Sequence, residues 1–323
     1  MQFFIRAASS IFLVLNLAVL SACESKPSTL LRIGTNVWPG YEALYLADHL
    51  KYYEGTGNRV IAYPSATTAI RDFKANQLEA VALTIDEALL LASAGGDFKI
   101  VAVFDISHGG DVLIGTKGMQ NLAEIKGKRI ALEATALGSF MLSRALEHAG
   151  LVASDITPVN KNLNQHEQSI QEKKVDAVVT FHPVATRLIN SGYPMLFDST
   201  KIPGEIVDVL LVHTAFLEKH PSQVESLLTG YFRALQYQQA NFDAAVRFIS
   251  QREGVSPQEY KDSLKGLIIP DLEANRRMLG SEIDKLTASM VRLEKIMRQK
   301  NLLPRSVDVS TLLDGGPVQR IKP

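Results

Sequence analysis

An α/β fold of two similar lobes, crossed twice by the chain and extended by carboxyl-terminal helices, is what the sequence predicts. Three observations lead there. Strand and helix signals alternate through the first two thirds of the chain, the pattern of βαβ units that build parallel sheets. One short pattern occurs twice: "NQLEAVALT" at residues 76–84 and "KKVDAVVTF" at residues 173–181 both run from a helix end through an acidic residue and Ala-Val into an apolar strand. The copies lie roughly a hundred residues apart, each after a strand–helix–strand run of similar length, which suggests two copies of one unit. Finally, "DISHGGD" at 105–111 and "KIPGEIVD" at 201–208 are rich in Gly, Pro or Ser and stand where the chain must pass between units. Two crossings make a two-stranded hinge.

The elements follow in order. "MQFFIRAASSIFLVLNLAVLSAC" has a basic residue at Arg6, an apolar run over Ile11–Leu20 and small residues ahead of Cys23, so it reads as a secretory signal. "LSAC" resembles the lipobox of bacterial lipoproteins, in which the cysteine is lipidated and becomes the mature amino terminus. The other reading of Cys23, a chance buried cysteine, fits poorly beside the polar linker "ESKPST". With one cysteine no intrachain disulfide forms. Strands are expected over 30–35, 59–63, 80–83, 100–104, 112–116, 129–132, 156–160, 177–180 and 209–213, with helices between them. From about Ser222 onward "QVESLLTGYFRALQYQQA" and "KLTASMVRLEKIMRQKNLL" place apolar residues at helical spacing. The chain of 323 residues is 46% hydrophobic and carries 34 basic against 34 acidic residues, so charge gives no argument for nucleic acid or an anionic membrane surface as partner.

Seven segments in order, "WPGYEALYLA", "ALTIDEALLL", "SHGGDVLI", "LAEIKGKRIALEATALGSFML", "VDAVVTFHP", "IVDVLLVHTAFLEKHP" and "DLEANRRML", resemble the periplasmic solute-binding proteins of ABC importers. The resemblance is to their nitrate, sulfonate, taurine and thiamine-precursor branch and covers nearly the whole mature chain. It implies two Rossmann-like lobes (the type II periplasmic-binding-protein fold) around a cleft, with a small-molecule solute trapped by hinge closure and delivered to an ABC permease in the inner membrane. The expected organisation is a signal peptide over 1–22, a tether over 23–29 with a lipid anchor on Cys23, one lobe from 30–106 plus 210–323, and a second from 107–209. Such a protein sits at the periplasmic face or cell surface of a bacterial membrane. Where the family often has an acidic residue in "VDAVVTFHP", this chain has His182.

The candidate site residues come from loop ends. In "NVWPGYEALYLADHL", Pro39 and Gly40 make a turn between a strand and a helix, and in an open α/β sheet that is where ligands bind. Trp38 and Tyr41 either wall the cleft or, for Trp38, plug a core edge. Thr84 and Asp86 follow the third strand; Asp86 is either a cleft acid or a first-turn helix acid, and Glu87 reads as a solvated helix residue. Thr135 opens the helix of "EATALGSF", as ligand contact or as plain cap. Ser107 and Asp111 flank "HGG" in the first crossing, and Asp208 holds the matching place in the second. Three acids and no clearly placed cation favour a solute with amino, amidine or hydroxyl groups over an oxyanion such as nitrate or an aliphatic sulfonate. No metal or cofactor is expected: none of the seven histidines has metal-ligand spacing, though His108, His182 and His213 could meet at the hinge. The rival of another class is the pyrimidine-precursor enzyme of the same superfamily, whose cysteine-rich iron motif is absent from this sequence.

Overall fold

The computed structural model describes residues 29–322. The expected signal, Cys23 and all but the last residue of the tether lie outside the described residues. Eleven strands occur among the described residues: β1 (Leu31–Thr35), β2 (Asn58–Ala62), β3 (Ala80–Thr84), β4 (Phe98–Ser107), β5 (Asp111–Gly115), β6 (Arg129–Leu132), β7 (Thr157–Asn160), β8 (Ala177–Phe181), β9 (Met195–Asp198), β10 (Val207–His213) and β11 (Leu267–Ile268). They form two sheets, one in the order β11-β4-β10-β3-β1-β2 and the other β7-β6-β8-β5-β9. Four helices bear on the space between the sheets: α1 (Glu42–His49), α2 (Ala66–Lys74), α3 (Ile85–Ser93) and α4 (Ala136–His148). The carboxyl-terminal part adds α5 (Pro221–Ala240), α6 (Phe242–Glu253) and α7 (Ile283–Gln299).

Both sheets are mixed, which corrects the expectation of parallel ones. β1 pairs in parallel with β2 and β3, and β6 with β7 and β8, as βαβ units require. β10, however, runs antiparallel to β3 and β4, and β5 antiparallel to β8 and β9. These two strands enter their sheets from the hinge, at the end where their neighbours β3 and β8 finish, so they must run the opposite way. β11 escaped the sequence pattern because a strand of two residues carries no alternation to read, and β9, at a sheet edge, was missed although β6 and β7 of the same length were read. β10 joins the first sheet from Val207, where the sequence reading extends the second lobe to residue 209.

The echo in the sequence has a physical cause. Glu79, just ahead of β3, accepts from the Arg32 backbone N–H at 2.8 Å and from its guanidinium at 2.6 and 3.0 Å. Asp176, just ahead of β8, does the same for Arg129, at 2.9 Å from the backbone and 3.1 Å from the side chain. In both lobes a residue with positive φ, Asn76 and Lys173, turns the chain three positions earlier. The repeated "acid–Ala–Val" is therefore one staple, used at the same end of each sheet.

At the hinge, Ser107 Oγ lies 2.8 Å from Ser199 Oγ, whose oxygen also accepts from the Gly109 N–H at 2.6 Å. Gly109 has φ +105°, and a Cβ on Gly110 would come within 2.9 Å of the Trp38 ring, so this crossing needs both glycines. The carboxyl-terminal helices close the first lobe: Tyr53 packs under Gly230 of α5 and donates to Leu227 O at 3.1 Å. Leu286, Met290, Leu293 and Met297 bury one stripe of α7. Beyond α7, Lys300 reaches Glu147 in α4, 2.9 Å away in the second lobe.

Candidate functional site: a cleft of buried carboxyls

Residues of both sheets line a cleft between the lobes. Asn36, Trp38, Tyr41, Ala66, Thr84, Glu87 and Asp208 come from the first lobe, and Asp111, Glu133, Thr135, Leu137 and Phe181 from the second. The cavity encloses about 350 Å³ including its open mouth. The local reason for this lining is strand direction. β1, β3, β6 and β8 end at the cleft, β5 and β10 begin there, and the first turns of α2, α3 and α4 follow from the same edge.

The aromatic turn faces the second lobe. Trp38 is 4% exposed, meets the Phe181 ring edge-on at 5.6 Å between centroids, and donates its indole N–H to Asp105 at 2.9 Å. Tyr41 is buried too, and its hydroxyl donates to Asp208. One edge of Trp38 is tied into the hinge, and its ring lines the cleft.

Six carboxyls crowd this region: Asp86, Glu87, Asp105, Asp111, Glu133 and Asp208, none more than 7% exposed. None forms a salt bridge among the described residues, and no Lys or Arg lines the cleft. Burial therefore dominates their titration. It pushes Asp86 up to about 6, Asp105 and Asp111 to about 7 and Glu87 to about 8, and raises Asp208 well above the ordinary carboxylate range. Mutual repulsion adds to burial, from Asp86 on Asp111, from Asp111 on Asp105, and from Asp105 on Asp208. Five of their oxygens, both of Asp86 and one each of Asp105, Asp111 and Asp208, meet no hydrogen-bond donor.

Of the residues singled out in the sequence, Trp38, Tyr41, Thr84, Asp111, Thr135 and Asp208 line the cleft. Thr135 also caps α4, accepting from the Gly138 N–H at 3.0 Å. Three do not line it. Asp86 is fully buried close to Asp111, Ser107 serves the hinge clasp, and His182 sits beside Thr186 Oγ1 at 2.5 Å, its pKa lowered to about 4 by burial. His213 stacks on Phe73, with its Nε2 3.0 Å from Phe73 O. Glu87 corrects the sequence reading: it is 4% exposed, because its carboxylate folds back to accept the Thr84 N–H at 3.3 Å and the second lobe covers it. Asn36, Glu133 and Phe181 were missed. For Phe181 the echo was the available signal, since it matches Thr84 position for position.

Two α/β lobes on a two-stranded hinge, closed on a cleft at the strand ends, define the type II periplasmic-binding-protein fold. The chain belongs to the NMT1/THI5-like family, whose profile matches residues 38–245. Its fold resembles that of the alkanesulfonate-binding protein SsuA from Xanthomonas axonopodis pv. citri bound to MOPS, with a TM-score of 0.75 and 16% identity over 90% of this chain and 99% of that one. It is also similar to the periplasmic aliphatic sulphonate binding protein SsuA from Escherichia coli, with a TM-score of 0.73 and 18% identity over 91% and 100% of the two chains. The desulfurization enzyme DszB shares the fold, with a TM-score of 0.63 and 14% identity over 90% and 98%. In sequence, a provisionally named aliphatic sulfonates-binding protein of Escherichia coli strain K12 is 22% identical over 50% of this chain and 52% of its own length. A provisionally named binding protein of Brucella abortus is 27% identical over 31% of each. The chain thus spans between a third and about half of the length of these sequence relatives.

Proposed function

We propose that this protein is the solute-binding component of an ABC importer, which captures a small polar organic solute between its lobes and delivers it to a permease in the inner membrane. The observation that carries this reading is the cleft itself, walled from both lobes, with Trp38 of one against Phe181 of the other. Binding there requires the lobes to part and close again, which is the motion a two-stranded hinge permits. In this reading residues 30–106 and those from 207 onward act as one lobe and 107–206 as the other. The lipid on Cys23 keeps the protein at the periplasmic face. No helix among the described residues is long and apolar enough to cross a membrane. Trp38, Tyr41, Thr84, Asp111, Thr135 and Asp208 contact the solute.

Trp38 is the chain's only tryptophan, so solute screening by its fluorescence reads the cleft directly. A saturable change that vanishes in Trp38→Phe only as signal, and persists as heat of binding, supports the reading. Release of a chemically altered product by the purified protein alone would replace it with an enzymatic one. A second reading, an oxyanion binder, is favoured by the alkanesulfonate-binding proteins of like fold. It is opposed by a lining that holds four carboxyls and no Lys or Arg.

A further inference from the structure

We propose that the cleft takes an organic cation, a small solute carrying an ammonium or amidinium group held between Asp111 and Asp208 against the Trp38 and Phe181 rings. This rests on the solute-binding reading and narrows it to one charge class. The first observation is that the two acids are counterparts. Asp208 stands opposite Thr84 where β10 pairs with β3, and Asp111 opposite Phe181 where β5 pairs with β8. Thr84 and Phe181 close the two copies of the repeated segment. Each lobe thus delivers one carboxyl to the cleft from the strand that has just left the hinge.

The second observation is that both are incomplete. Asp111 and Asp208 are 2% and 3% exposed; one oxygen of Asp111 meets no donor, and one of Asp208 meets only the Asp105 carboxyl. Native proteins partner nearly all buried polar atoms, so these oxygens beside one cavity mark where N–H donors belong. A tetrahedral ammonium or a planar amidinium supplies several such donors with a positive charge. The aromatic walls suit the same guest, because a cation is drawn to the face of an indole or phenyl ring. A bare metal ion fits less well, since no group of three ligating side chains occurs among the described residues. An anion would enter against four lining carboxyls with no lining cation to receive it.

The test measures Trp38 fluorescence and the unfolding midpoint of the full chain with propylammonium, 1,4-diaminobutane and benzamidinium. Propanol, 1,4-butanediol and benzamide serve as uncharged matches, and ethanesulfonate as the anion. The expected result is saturable binding of at least one cation at about 1 mM or tighter, with its uncharged match at least about tenfold weaker. Asp111→Asn and Asp208→Asn should each weaken that cation by about tenfold or more. The midpoint without added cation should hold or rise in both variants, because a buried unpaired charge is removed; a purely structural role would lower it. If no cation saturates, or if both variants bind it as wild type does, the inference falls. Saturation by ethanesulfonate or an uncharged match alone overturns the charge class and leaves the solute-binding reading standing.

Discussion

The two ends of each sheet treat acidic residues in opposite ways. At the end away from the cleft, Glu79 and Asp176 are stapled by Arg32 and Arg129 through the backbone and the side chain alike. At the cleft end, Asp111 and Asp208 stand with orphaned oxygens, and Glu87 and Glu133 have no counter-charge. Even Glu42, fully buried, is met by the Arg252 guanidinium, which donates from Nε at 2.6 Å. Outside the cleft the chain thus pairs these three acids with arginine, while Glu253 beside Glu42 keeps both oxygens without a partner. What the difference teaches is that the cleft acids are an expense to the fold, retained at the edge where a solute can meet them.

The comparison breaks most visibly if a paired acid is made to resemble a cleft acid. Arg252→Ala strands Glu42 beside the buried Glu253, and we expect a loss of about 3–5 kcal/mol of unfolding free energy by denaturant titration. The converse change sharpens it. Asp208→Asn keeps an acceptor for the Tyr41 hydroxyl while removing a carboxyl whose ionisation burial opposes, and should raise the unfolding midpoint increasingly as pH rises. An equal rise at pH 5 would show that charge is not the cause.

A pH series extends the same contrast without mutation. The folded-state values of Asp86, Asp105, Asp111 and Glu87 are raised to between about 6 and about 8, far above those of an unfolded chain. Between about pH 4 and pH 8 the folded protein thus binds more protons at these groups than the unfolded one. Their contribution to stability is fully present below the unfolded values and is lost as pH rises through the folded ones. The midpoint of the protein without added solute should fall from about pH 5 to pH 8, and Asp111→Asn should flatten that fall. The smallest effect is expected from Arg129→Ala, whose side chain is 46% exposed in its pair with Asp176. The midpoint should barely move and solute affinity should stay unchanged, since half-exposed ion pairs contribute little.

Much of this was legible in the sequence for a physical reason. Strand and helix periodicity is a local property, so nine of the eleven described strands and the helical carboxyl end could be read from it. The Gly- and Ser-bearing crossings located the hinge, and with it Asp111 and Asp208. Trp38 and Tyr41 followed from a turn at a strand end. Glu87, Glu133 and Phe181 were hidden because nothing in their neighbourhood along the chain separates a strand-end or first-turn residue in water from one covered by another lobe. Asp86, Ser107 and His182 erred the other way. Each has the right residue type near the cleft, but the structure buries Asp86 beside it and gives Ser107 and His182 hydroxyl partners of their own.

The sequence by itself determined the lobes, their order and the segment that repeats between them, because all of these rest on patterns within a few dozen residues. Only the tertiary structure decided which acids face a shared space, which ones an arginine reaches, and that the strands leaving the hinge run against their neighbours. Those outcomes depend on two units meeting across a gap. The burial that raises the pKa values of these carboxyls is a property of the assembled fold and of no single segment.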